Sequence, residues 1–308
     1  MNEGDLLTDR KRLKRHLVIW RALTVLVLVG ALVFIARQVE GKKVGGVGGD
    51  YIALVSVDGV MADSPDRDDM FQDIADDPHA KALIVRMDSP GGTAMGGEEM
   101  YYDLKKVAAK KPVVSVMRTL CASACYMAAM GTDYIVARDG TLTGSIGVML
   151  QAAEFSRLAD KLGITPITIK SGKYKDVPSL TDPFTPEQRE VVSSIVMDAY
   201  DHFVKLIVQG RKLPEERVRQ LADGRVYTGS QAYNLKLIDA IGGQDEAIDW
   251  LAKTRHINPK LEVDEVKPEP QFDSLLDKLG GYTGIKIFGK STVGLDGLVS
   301  IWHPSLMN

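Results

Sequence analysis

Three short segments carry hydroxyl and amine groups in an order suited to nucleophilic chemistry. The first, Leu120-Cys121-Ala122-Ser123-Ala124-Cys125-Tyr126-Met127-Ala128-Ala129-Met130-Gly131, sets one hydroxyl at a strand-to-helix junction. Thr143-Gly144-Ser145-Ile146-Gly147 and Ser171-Gly172-Lys173-Tyr174-Lys175-Asp176 follow it. A serine hydroxyl becomes a nucleophile only when a base takes its proton. Of His16, His79, His202, His256 and His303, none follows Ser123 until His202, deep in a predicted helix, so the candidate base is a lysine. A lysine, whose ordinary pKa is about 10.4, accepts a proton near neutrality only if it is buried beside a group that bonds its neutral amine. A serine hydroxyl does this without adding charge.

Two backbone features could serve the same chemistry. Met87-Asp88-Ser89-Pro90-Gly91-Gly92 ends an apolar strand, and its glycines let backbone N–H groups turn inward to hold an oxyanion. The helix predicted to start at Ser123 offers the Ala124 N–H as a further donor, and Ala122, Ala124, Ala128 and Ala129 allow it to pack closely. Plainer readings stand beside these. Ser-Pro-Gly-Gly is also an ordinary turn, a serine at a helix start is commonly its cap, and a lysine in a turn is commonly solvated. On local chemistry alone, Lys170 and Lys173 compete with Lys175.

Five segments in order, Ser-Pro-Gly-Gly, Ala-Ser-Ala-Cys-Tyr, Gly-Ser-Ile-Gly-Val, Ser-Gly-Lys-Tyr-Lys-Asp and Gly-Arg-Val-Tyr-Thr-Gly-Ser-Gln-Ala, resemble the motifs of the signal peptide peptidase A family over residues 51–250. The match is to the protease IV-like, short single-domain form. The resemblance implies a ClpP/crotonase-like α/β fold with a largely parallel sheet and a serine-lysine dyad. It makes Ser123 the nucleophile, Lys175 the general base and Ser145 the hydroxyl that orients the lysine, with Gly91, Gly92 and Ala124 as the oxyanion hole. It also implies a membrane-anchored peptidase facing away from the cytoplasm, working as a ring-like or dome-like homo-oligomer without cofactor or metal. Asp176 reads as exposed or structural, because an ion pair would hold the neighbouring amine protonated. The family commonly has glycines after the serine; here Ala124 and Cys125 stand there. Cys121 and Cys125 lie four apart, where helical Cβ atoms are about 5–6 Å from each other and a disulfide wants about 3.5–4.5 Å, so two buried thiols are expected. No second Cys or His pair nearby completes a metal site. Gly224 to Ala232, followed by Leu237-Ile238-Asp239, reads as a Thr-Gly turn capping a short helix.

The elements that must position these groups begin after a compositional break. Residues 1–16 hold the basic run Arg10 to Arg15, and residues 17–37 are apolar apart from Arg21, Thr24 and the closing Arg37. This predicts one transmembrane helix with its N-terminus in the cytoplasm and the remainder outside. A small-x-small cleavage site close behind the apolar run is missing, which favours an anchor over a cleaved leader. Residues 38–50 form a Gly-rich linker, residues 51–262 the peptidase domain and residues 263–308 a C-terminal extension. Strands are predicted at 51–60, 82–87, 113–117, 134–136 and 164–169, the last weakened by Pro166. Helices are predicted at 97–108, 123–131, 154–162, 188–209, 214–222 and 245–254, the β-α alternation of a parallel sheet. Leu298 to Trp302 is apolar enough to need a partner surface.

A composition of 45% apolar and 26% charged residues over 308 positions supports a sizeable core, and a net charge of -3 leaves no footprint for nucleic acid. The expected activity is that of a membrane-anchored serine endopeptidase acting on remnant signal peptides and other membrane-associated or unfolded peptides. The alternatives are a crotonase-like acyl-CoA enzyme and an inactive membrane scaffold of the same fold.

Overall fold

In the computed structural model, residues 49–268 and 298–301 are described, together with single helical positions between 16 and 30. Two units partition the chain, Met1–Gly46 and Val47–Asn308. In the first, Trp20, Arg21, Leu23 to Val27, Val29 and Gly30 are helical. Most of the expected membrane span lies outside the described residues. Among the described residues, no helix is long and apolar enough to cross a membrane.

The second unit is organised by Tyr51–Asp58 (β1) and Ala80–Ser89 (β2), which pair in parallel with Ile52 to Asp58 set opposite Ala82 to Asp88. Both strands are near-continuous apolar runs, as parallel strands covered on both faces must be. Val113–Ala122 (β4) joins the other edge of β2. Its far edge is shared: Tyr134–Ala137 (β5) pairs with Val114 to Met117, and Leu142–Gly144 (β6) pairs with Leu120 to Ala122. Arg118 and Thr119 therefore lie where the chain passes from one neighbour to the next. Val226–Thr228 (β7) closes the β6 side antiparallel. Ala240–Ile241 (β8) extends β5, and Glu262–Glu265 (β9) extends β1. Among the described residues the sheet has eight strands, parallel throughout except at β7.

Helices cover it. Pro65–Asp76 (α1) and Ala94–Ala108 (α2) bury Phe71, Ile74, Met100 and Leu104. Gln244–Arg255 (α8) packs Ala247 and Leu251 against Ile52, Leu54, Ile84, Val114 and Val136. Between them in sequence run Ala124–Ala129 (α3), Ser156–Lys161 (α4), Pro186–Arg211 (α5), Glu215–Leu221 (α6) and Gly229–Asn234 (α7). The start of α5 is written locally. Thr185 accepts from the Gln188 N–H while Gln188 bonds back to the Thr185 N–H, a capping box with Pro186 behind it.

Two expectations need correction. Residues 164–169 form no strand: Pro166 removes a ladder donor, and Ile167 and Ile169 are 87% and 96% exposed. The boundary at residue 262 falls on the first residue of β9, whose pairing with β1 carries the sheet beyond it, with the Val266 N–H on the Leu54 carbonyl. A short strand from the extension, Val299–Ile301 (β10), pairs antiparallel with Gly91–Thr93 (β3). The intervening residues 269–297 lie outside the described part.

Candidate active site

Ser123 ends β4 and begins α3 with φ 59° and ψ −118°, a backbone conformation that non-glycine residues seldom hold. Its N–H donates to the Gly144 carbonyl at 2.8 Å, and its own carbonyl accepts the Met127 N–H at 2.9 Å. This clamps the residue from a neighbouring strand and from its own helix. The side chain lies in a recess, only 2% exposed. Ser145 follows Gly144 as Ser123 follows Ala122, and the register pair Ala122–Gly144 brings the two serines side by side. Ser145 also has positive φ, 49°, and its N–H is held by the Arg225 carbonyl at 2.8 Å.

The Gly-Gly segment becomes β3, packed against α3. Alternate residues face opposite sides. The Gly91 carbonyl and the Thr93 N–H bond to Met61, while the Ala94 N–H bonds to the Leu298 carbonyl on the β10 side. Gly92 shares that outer side, opposite Ser300. The Gly91 N–H donates instead to the Ser89 hydroxyl at 3.1 Å, so it is already engaged. Gly92, which faces Ser300 of β10, and the N-terminal turn of α3 at Ala124 lie on the two elements that adjoin at Ser123.

The two cysteines are not thiols. Cys121 and Cys125 form a disulfide across Ser123, with Cα atoms 5.2 Å apart and both side chains buried. The helical spacing assumed from the sequence does not apply, because Cys121 is in β4 and Cys125 in α3, with the sharp turn at Ser123 between them. Their burial and the strand-to-helix junction between them were legible; the tightness of the turn at Ser123 was not.

The lysines separate by their partners. Lys170 sits 2.5 Å from Asp182 and 3.5 Å from Asp176, and the bond to Asp182 holds its pKa above the ordinary value. Lys173 is 2.6 Å from Glu187, a carboxylate shared with the Tyr174 hydroxyl, and its pKa is likewise raised. Both amines are fixed in the protonated form. Lys175 stands in the turn after them, its backbone N–H on the Gly172 carbonyl, and among the described residues no carboxylate lies within ion-pair distance of its amine. Asp176, as expected, is exposed. Yet Lys175 is itself exposed. Ser123, Ser145, Gly92 and Ala124 lie on adjoining elements, β4, β6, β3 and α3, while Lys175 lies on an exposed arm. Among the described residues, no cluster of His, Cys, Asp or Glu is arranged to hold a metal ion.

A family model described as Peptidase family S49 matches residues 105–258 of the chain. A Synechocystis protein assigned as a protease is 38% identical over 211 residues, 65% of this chain and 76% of its own length. A protein of Enterococcus faecium assigned as a signal peptide peptidase is 32% identical over 259 residues, 78% of this chain and 75% of its own. Among solved structures, the ClpP1 chain of Listeria monocytogenes superposes with a TM-score of 0.42 at 13% identity, over 62% of this chain and 91% of that one.

Proposed function

Because this chain belongs to peptidase family S49, we propose that it is a serine endopeptidase whose nucleophile is Ser123 and whose general base is Lys175 supplied by a second copy of the chain. The observation that carries the serine assignment is the Ser123 backbone, held at φ 59° by bonds from β6 and α3 with Ser145 in register beside it. A cap does not require that conformation, whereas strained backbone of this kind clusters at catalytic turns that present a nucleophile. A peptide substrate is supported by β10, an extended segment of the chain lying antiparallel on β3 beside the serine. That edge accepts main chain as an added strand.

In the reaction, the Ser123 Oγ attacks the scissile carbonyl as the neutral amine of Lys175 takes its proton. The Gly92 and Ala124 N–H groups hold the oxyanion. Collapse of the intermediate passes the proton to the leaving amine. Water, deprotonated by the same lysine, then releases the acyl group and restores the serine. Ser145 orients the amine with its hydroxyl.

A lysine base must be desolvated to be neutral, and in the single chain Lys175 is exposed. Its arm also exposes Phe155, Leu158, Leu162, Ile164, Ile167, Ile169 and Leu180, an apolar surface that calls for a partner. Docking of this arm on the next copy satisfies both needs and builds a ring with one site per junction. The test is to mix two inactive proteins, Ser123→Ala and Lys175→Ala. Random co-assembly pairs an intact serine with an intact lysine at about a quarter of the junctions, so about a quarter of parental activity should return. No recovery in co-assembled mixtures would place the base elsewhere.

The apolar run at residues 17–37 and the basic cluster before it support a membrane anchor with the domain outside the cytoplasm. The Cys121–Cys125 disulfide supports the same side, since such bonds persist in oxidising compartments. The substrates proposed are remnant signal peptides and other unfolded peptides at that surface. Cells carrying only the Ser123→Ala form should accumulate signal-peptide fragments in the membrane fraction.

A further inference from the structure

A cavity of about 550 Å³ opens where β4 passes from β5 to β6, apart from the serine site. Three arginines from different segments converge on it: Arg86 of β2, Arg118 of β4 and Arg138 just after β5. The turn Gly242 to Gln244, which begins α8, completes the wall, and no Asp or Glu is among its lining residues. Elsewhere Arg211, Arg219 and Arg225 each find a carboxylate. Among the described residues, Arg86, Arg118 and Arg138 make no ion pair within 4.0 Å.

This gathering of like charge is unfavourable as it stands. The Arg86 Nη2 donates to the neutral Gln244 Oε1 at 3.1 Å. The Arg138 guanidinium lies so close over Gly243 that a Cβ there would be 2.8 Å from its Nη2, which places a cation against the positive end of α8. Glu246, a carboxylate in the first turn of α8, is spent on the Gly243 N–H at 2.5 Å, a bond that holds its pKa low with a smaller contribution from Arg138. Glu265 bonds Lys267 and Ser56 and feels Arg86 only weakly. Three guanidiniums with one neutral acceptor and one occupied carboxylate between them suit an incoming anion with several oxygens. A carboxylate would leave one guanidinium unmatched, and the volume exceeds that of a bare phosphate ion.

We propose that this cavity is an anion site that binds the phosphate group of a phosphate ester, either a soluble one or a phospholipid headgroup. Arg118 and Arg138, both exposed, would fork onto the phosphate from the solvent side, with the half-buried Arg86 bonding it from within.

Full-length protein in a neutral detergent is titrated calorimetrically with glycerol 3-phosphate, inorganic phosphate, glycerol and water-soluble dihexanoyl phosphatidylglycerol. Glycerol 3-phosphate should bind and glycerol should not. The variant R86Q/R118Q/R138Q should lose this binding, and Arg118→Gln alone, at an exposed position, should weaken it about tenfold or more. Arg118→Lys should recover part of the loss. Tighter binding of the lipid than of glycerol 3-phosphate assigns the site to a headgroup, and equal binding assigns it to a soluble ester. The inference is overturned if no phosphate probe binds, or if Arg118→Gln, with an unchanged melting curve, binds glycerol 3-phosphate as tightly as the parent.

Discussion

Ser123 holds a backbone conformation that costs a side-chain-bearing residue on the order of 1–3 kcal/mol. The neighbouring bonds sustain it. Comparing two inactive variants isolates this strain: Ser123→Gly should melt above Ser123→Ala, by about 1 kcal/mol after the entropy of glycine is subtracted. Differential scanning calorimetry reads the difference. For turnover, Ser123→Ala and Lys175→Ala should each reduce kcat by about a thousandfold or more, and the double variant should be no worse than either single, because the two act as a unit. Lys173→Ala should be mild, since that amine is bound to Glu187. The disulfide acts at the same scale. Its loop is short, so replacing both cysteines with serine should cost about 2 kcal/mol, measured by denaturant unfolding.

Between elements, the decisive contact is that of α2 with α3. A Cβ on Gly97 would lie 2.8 Å from the Ala124 Cβ, so the helix that begins after Ser123 touches its neighbour almost backbone to backbone. Gly97→Ala should push α3 away and lower kcat at least tenfold, with about 1–3 kcal/mol of lost stability from overpacking. A second pair of elements, α1 and α2, meets at Asp68 and Asp103. Burial, and then the Asp103 carboxyl beside it, push the Asp68 pKa up to about 6, with Asp63 adding to the shift and Arg67 opposing it. The folded chain therefore keeps a proton that the unfolded chain loses near 3.8, and stability falls as pH rises from about 4 through 6. Asp68→Asn should accordingly melt above the parent at pH 7.5, with the gap closing toward pH 4. A gap independent of pH would remove the shared proton from the explanation.

At the scale of the molecule, residues 147–185 bury little of their own apolar surface; only Ser156 and Ser179 are fully buried there. In the proposed assembly this exposed apolar arm docks on the next copy. Replacing both Ile167 and Ile169 with Glu should reduce the mass seen by light scattering to that of one chain and abolish peptidase activity. The melting of the sheet and its covering helices should change little, because both side chains are exposed in the single chain. Loss of activity with the assembly intact would separate the arm from the interface.

Much was legible in local sequence. The apolar runs of β1, β2 and β4, the periodicity of α5 and the small-residue start of α3 are short-range signals, and the corresponding elements form where they were expected, β4 running five residues further. The five spaced motifs determined the family, since each places a chemical group at the end of a definite element. What the sequence could not determine depended on which segments meet. The Cys121–Cys125 bond required the turn at Ser123, and the engagement of the Gly91 N–H required the Ser89 hydroxyl to fold back. The missing strand at 164–169 required knowing that no sheet edge would receive it. The convergence of Arg86, Arg118 and Arg138 required β4 to change partners midway. Periodicity and motif order follow from bonded neighbours and were determined by the chain alone; charge gathering, hydrogen-bond commitment and exposure are sums over non-local contacts, and only the tertiary structure decided them.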